Sequence, residues 1–215
     1  MGVTKHIIGW FIGALIGMGL LVVCVSAIAL TGGISLEGAL ANPNVPMIFL
    51  MLGGFIIQGA AEEFLCRGLV LCSLRDRVPL PVAVAVSTLA FIYPHWSTLR
   101  ESEPQYVFSG LLGLVVISLV FSFITLRTKS IWAACGLHSV WNFCLCCVFG
   151  LNLSGSEGAS TALISMRSVG ENIFNGGAYG IESSIITDLV IAALAVMTGY
   201  MVIKMNERRS KNGVQ

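Results

Sequence analysis

Residues 106–126 read YVFSGLLGLVVISLVFSFITL, and no Asp, Glu, Lys or Arg interrupts them. A run of about 20 apolar residues is the length of one bilayer crossing. Its apolar residues do not alternate with polar ones, so the pattern chooses a helix over a strand. In lipid every backbone N–H and C=O must be satisfied internally, which an unbroken helix does by itself. Similar runs occur at about 7–30, 45–72, 79–95, 131–151 and 183–203. Arg75, Asp76, Arg77 and Pro79 separate the second from the third, and Arg127 to Lys129 separates the fourth from the fifth. The sequence therefore predicts an all-α, polytopic transmembrane bundle of about six segments.

Composition agrees with that class and excludes others. Of the 215 residues 56% are hydrophobic and 11% charged, whereas a soluble domain carries about a quarter charged residues. A disordered chain or a disulfide-stapled secreted domain would look quite different. The net charge of +1 and the lack of a basic stripe argue against nucleic acid as a partner. The expected surroundings are the lipid bilayer.

Orientation follows from the basic residues. With both termini cytoplasmic, the inner side holds Lys5, Arg75, Arg77, Arg127, Lys129, Lys204, Arg208, Arg209 and Lys211, and the outer side only Arg100 and Arg167. The positive-inside rule thus predicts cytoplasmic termini, in the plasma membrane if the source is bacterial. Lys5 before an apolar run, with Ala27-Ile28-Ala29 beyond it, has the look of a secretory leader. A leader core spans about 7–15 residues, so the longer run here is expected to stay as a membrane helix. Gly9, Gly13 and Gly17, four apart on one face, suit close helix packing as well as ordinary membrane-helix composition. The seven cysteines all fall in or beside apolar segments and read as small apolar filler.

One long connection, 152–182, is rich in Gly, Ser and Asn. Ala162, Leu163, Ile164, Met166, Val169, Ile173 and Phe174 are placed in it as a short interfacial helix. The connection is expected to act as an access element or as a plain loop. Three divisions result: residues 1–44 (first helix and external loop), 45–205 (core) and 206–215 (basic cytoplasmic tail).

Ionisable groups at membrane depth cost several kcal/mol and mark function or helix-helix pairing. Ala61-Glu62-Glu63-Phe64-Leu65-Cys66-Arg67 places Glu63 and Arg67 four apart, able to pair on one face. Glu62 lies about 100° round the helix, so one carboxylate remains for other work. His95 closes Phe91-Ile92-Tyr93-Pro94-His95, and Pro94 is expected to kink or end that helix, setting His95 toward the outer face. His138 and Asn142 are again four apart and share a face. A carboxylate, two imidazoles and an amide together can activate water and stabilise an oxyanion. They could instead hold Zn²⁺, although no HExxH is present, or serve as interhelical hydrogen bonds. Asp188 is taken as a lumen-edge or helix-start residue outside the site.

These residues, in this order, resemble the motifs of the CAAX protease and bacteriocin-processing (CPBP, or Abi) family of intramembrane endopeptidases, which includes type II CAAX prenyl endopeptidases. The matching pattern is Glu62, Glu63 and Arg67, then Phe91 and His95, then His138 and Asn142. Gly176 to Ser184 also looks like the segment before that family's last helix. The resemblance implies that Glu62 and His95 polarise the attacking water and that His138 and Asn142 bind the oxyanion. It implies that Glu63 and Arg67 orient the helix and tune Glu62. It further implies a membrane-embedded or lipidated, CAAX-like peptide substrate. Family members have been named metalloproteases, for which Glu62, His95 and His138 would be the Zn²⁺ ligands. No obligatory cofactor is expected, because Asn142 suits an oxyanion better than zinc. The rival expectations are a non-enzymatic membrane scaffold or bacteriocin-immunity protein of the same fold, and a transporter relaying protons through its buried Glu and His.

Overall fold

A computed structural model describes residues 3–39, 44–158 and 162–211. Helix α1 spans Val3–Leu30, and strand β1 follows at Ile34–Ala39. Helix α2 runs Val45–Glu63 and continues unbroken as π-helical turns, Phe64–Leu71, into a last turn, Cys72–Leu74. Helices α3, Leu80–Leu99, and α4, Pro104–Thr128, come next. Helix α5, Trp132–Phe143, also ends in a π-helical stretch, Cys144–Val148. Strand β2, Ile164–Ser168, and helix α6, Ile185–Lys211, complete the chain.

Five helices are long and apolar enough to cross a membrane, and α5 with its π-helical end is a shorter apolar helix. The protein is an integral membrane helix bundle. Large apolar side chains such as Phe49, Leu50, Ile57, Phe108 and Val196 are exposed on its perimeter. Such a belt would be a liability in water and is the surface that lipid covers.

The shorter helix is central. Ala133 through Asn142 are all buried in α5, which packs against α1, α2 and α4. Small residues make this possible. A Cβ at Gly13 would overlap the Ala133 carbonyl, one at Gly136 would overlap the Trp10 carbonyl, and one at Gly17 would lie 2.7 Å from the Leu137 oxygen. The glycine row of the first segment is therefore a contact face against the helix that carries His138. Gly13→Val is expected to cost about 3 kcal/mol through backbone overlap and to lower the melting temperature in detergent. Gly19→Val, where nothing lies within 4 Å, should leave it unchanged.

Two expectations need correction. The helix expected over 162–174 is absent. Its residues instead provide β2, antiparallel to β1, with Ile34 opposite Ser168 and Leu36 opposite Met166. A bulge follows between Leu36 and Gly38, where Gly38 takes φ +147°. The apolar spacing suited a helix, but a distant segment supplied strand hydrogen bonds that local periodicity does not reveal. Asn175 anchors this cap from full burial: its amide donates to Gly33, Val169 and Gly170 carbonyls and accepts from the Asn172 and Gly177 N–H groups. The second correction concerns Pro94, which sits inside α3 without ending it. It removes one donor to Ala90, but the ladder resumes, with Arg100 N–H bonded to Trp96. A single lost bond is tolerated where neighbouring turns hold.

Candidate active site

A close approach of α2 to α5 builds the site. A Cβ at Gly59 would meet Ser139 Oγ at 2.5 Å, and one turn further along, Glu63 reaches His138. Glu63 and Arg67, four apart, form a buried ion pair at 2.8 Å with no exposure of either side chain. Arg67 also donates to Ser118 Oγ at 2.7 Å and to the Ser118 carbonyl at 3.2 Å. Its guanidinium lies 4.6 Å from the Phe91 ring centroid and 5.0 Å from that of Phe121. One arginine thereby clamps α2, α3 and α4, through a planar fork and two aromatic faces that a lysine cannot match.

The same carboxylate oriented toward Arg67 fixes the histidine. Nδ1–H of His138 donates to Glu63 Oε1 at 3.1 Å. The ring stacks on Phe121, centroids 5.2 Å apart and 19° between planes. Its Nε2 is left 3.9 Å from Glu62 Oε2, too far for a direct bond but within reach through one water. Glu62 accepts from Gln58 Nε2 at 3.1 Å, and its Oε2 has no partner among the described residues. His95 Nδ1 lies 2.9 Å from the Phe91 carbonyl. A carbonyl can only accept, so Nδ1 bears a proton and Nε2 is left facing the cavity.

Glu62, Phe91, His95, His138 and Asn142 all line one cavity of about 450 Å³. Asn142 is 6% exposed and lines that space with an amide that makes no side-chain hydrogen bond among the described residues. Glu63 and Arg67 lie behind the wall, both at zero exposure. The seven motif residues thus form one unit: five at the cavity and two supporting it.

Other residues of the site went unnoticed in the sequence. Glu182, just before α6, accepts from Trp141 Nε1 at 3.3 Å, from Ser154 N–H at 2.7 Å and from Ser154 Oγ at 2.8 Å. It ties the helix bearing Asn142 to a tight turn, Leu153–Ser156, at the cavity mouth. Beneath the turn, burial, reinforced by the Glu182 carboxylate, pushes the Tyr179 phenol up from its ordinary range. Asp188 does start α6, but it is 4% exposed rather than at an open edge. Six of the seven cysteines are buried and none forms a disulfide.

The Zn²⁺ alternative finds no cage. Among the described residues no three His, Cys, Asp or Glu side chains converge as metal ligands would. This arrangement of Glu62, His95 and His138 does not fit a resident metal, and no step below is routed through one.

A bundle of helices long enough to cross a membrane thus encloses carboxylates, imidazoles and an amide around one cavity. Residues 44–144 match the family model described as Rce1-like, type II CAAX prenyl endopeptidase Rce1-like. That span holds all seven motif residues, and over it the chain is similar to the type II CAAX prenyl endopeptidases. No curated protein and no solved structure matches the chain.

Proposed function

We propose that the protein is an intramembrane endopeptidase that hydrolyses a peptide bond of a membrane-associated or lipidated protein, with Glu62 and His95 activating the water. The supporting observation is the facing pair, Glu62 Oε2 and His138 Nε2 at 3.9 Å, in a cavity at membrane depth. Water held by Glu62 and the free Nε2 of His95 gives its proton to the carboxylate as its oxygen attacks the scissile carbonyl. The oxyanion then accepts from Asn142 Nδ2–H and from Nε2–H of a His138 ring protonated at both nitrogens, whose Nδ1–H is held by Glu63. Collapse expels the amine, which takes the proton from Glu62. The products are a new carboxyl terminus and a new amino terminus, and Glu62 is regenerated.

The basic residues favour both termini in the cytoplasm, with the β1–β2 cap on the other face. The core, 45–205, would hold the chemistry, with α1 buttressing it and the tail beyond 206 staying in the cytoplasm; residues 212–215 lie outside the described residues.

Asn142→Ala is expected to lower kcat by about 10²–10³-fold with little change in KM, the loss typical of one oxyanion donor. Steady-state kinetics on folded protein check this. The function itself is tested by mass spectrometry of membrane-fraction peptides from cells with the wild-type protein and cells with Glu62→Ala. A defined product present only with wild type supports proteolysis and identifies the substrate. Equal profiles, with both proteins folded and expressed, would contradict it and favour a scaffold.

A further inference from the structure

We infer that the start of α6 carries a monovalent-cation site built on Asp188, apart from the hydrolytic groups and independent of the proposed reaction. Asp188 lies in the first turn of α6 and is 4% exposed. Neither Oδ1 nor Oδ2 has a hydrogen-bond partner among the described residues. The ion pairs of those residues all lie elsewhere. Burying a carboxylate costs more than a helix N-terminus returns to it, so a positive charge has to share the space.

Other oxygens face the same place. A Cβ at Gly113 would lie 2.7 Å from Asp188 Oδ1 and 2.7 Å from the Glu182 carbonyl oxygen. Three residues earlier on α4, a Cβ at Gly110 would overlap the Ser183 hydroxyl. That hydroxyl is fully buried and has no partner among the described residues. Two glycines of α4 thus leave room beside a carboxylate, a carbonyl and a hydroxyl. The Glu182 carbonyl belongs to the 3₁₀ turn Ile181–Ser183 just before α6, and no backbone N–H outside regular elements bonds to it among the described residues. Unwound backbone beside a membrane helix is a source of cation ligands.

The donor set selects the ligand. A proton on Asp188 would satisfy one of these oxygens, whereas a hard cation takes several at once. One carboxylate among neutral oxygens balances a single positive charge. No three His, Cys, Asp or Glu side chains gather there among the described residues, as a transition metal would need. Gly113, Glu182 and Thr187 also line the cavity, from which water completes the ion's shell. The ion ties α4 to the turn before α6. That turn carries Glu182, whose side chain holds Trp141 and Ser154, so occupancy is coupled to the geometry around Asn142, the residue after Trp141.

Thermal melts of the full chain in detergent, in NaCl, KCl or choline chloride at equal ionic strength, test the site. Equilibrium binding of ²²Na⁺ and of ⁸⁶Rb⁺, a stand-in for K⁺, counts ions per folded chain. Na⁺ or K⁺ should raise the melting temperature saturably over choline, with one ion bound per chain. Asp188→Asn, which keeps the shape and removes the charge, should weaken binding about 100-fold and give one melt in all three salts. Ser183→Ala should weaken binding about tenfold, and it decides the matter if Asp188→Asn does not fold. Equal wild-type melts with neither isotope bound, or unchanged binding in every folded variant, overturn the inference. A wild-type melt that responds to pH and to no salt also overturns it, and assigns a proton to Asp188.

Discussion

Glu62→Gln is expected to lower kcat by about 10³-fold while leaving the bundle folded. The size follows from removing a general base, worth about 10²–10⁴. The selectivity follows from the contacts. Glu62 accepts one bond, from Gln58, and a glutamine carbonyl can still accept it. Oε2, the atom 3.9 Å from His138 Nε2, becomes an amide nitrogen that cannot take a proton from water. Thermal stability should stay within about 0.5 kcal/mol of wild type, because the Gln58 bond is kept and Oε2 gives up no hydrogen bond. Steady-state kinetics and a melt in the same detergent read the two quantities together. A large loss of both would show that Glu62 supports the fold instead.

Arg67→Ala should do the opposite: the protein should be lost rather than merely its turnover. The guanidinium is fully buried, with Glu63 and Ser118 as hydrogen-bond partners and two phenyl rings on its faces. Removing one partner of a buried pair leaves the other charge uncompensated, at about 3–5 kcal/mol. Glu63 would then keep only the His138 bond. Arg67→Lys should rescue little, since one ammonium cannot reach Glu63 and Ser118 while stacking between Phe91 and Phe121. Denaturant or thermal unfolding in detergent, with expression in membranes, measures the effect. A stable, active Arg67→Ala protein would remove the clamp from the account.

What the sequence disclosed was mostly local. Apolar runs located the six helices, because crossing length and the lack of alternation are written in contiguous residues. Four-residue spacing disclosed the Glu63–Arg67 pair and put His138 and Asn142 on one face. It did not disclose that Glu63 also holds His138, 75 positions away, so its expected task of tuning Glu62 gains a second one. Ser118 and Phe121, unremarkable within an apolar run, became partners of Arg67 only through the packing of α4 on α2 and α3. The β1–β2 pair eluded periodicity for the same reason, because its strands lie more than a hundred residues apart. Glu182 could have been suspected as an acidic residue just before an apolar helix, but its partners Trp141 and Ser154 are set by the cap. Pro94 misled in the other direction, since a local rule about helix ends gave way to the turns that follow it.

The most direct test of peptide-bond hydrolysis at this site is isotopic. Purified full chain in vesicles is given its substrate in H₂¹⁸O, beside the Glu62→Gln protein. Wild type should yield a new carboxyl terminus carrying one ¹⁸O, and Glu62→Gln should yield none in the same period. Equal cleavage by both proteins, or a wild-type product without label, would contradict water activated at Glu62.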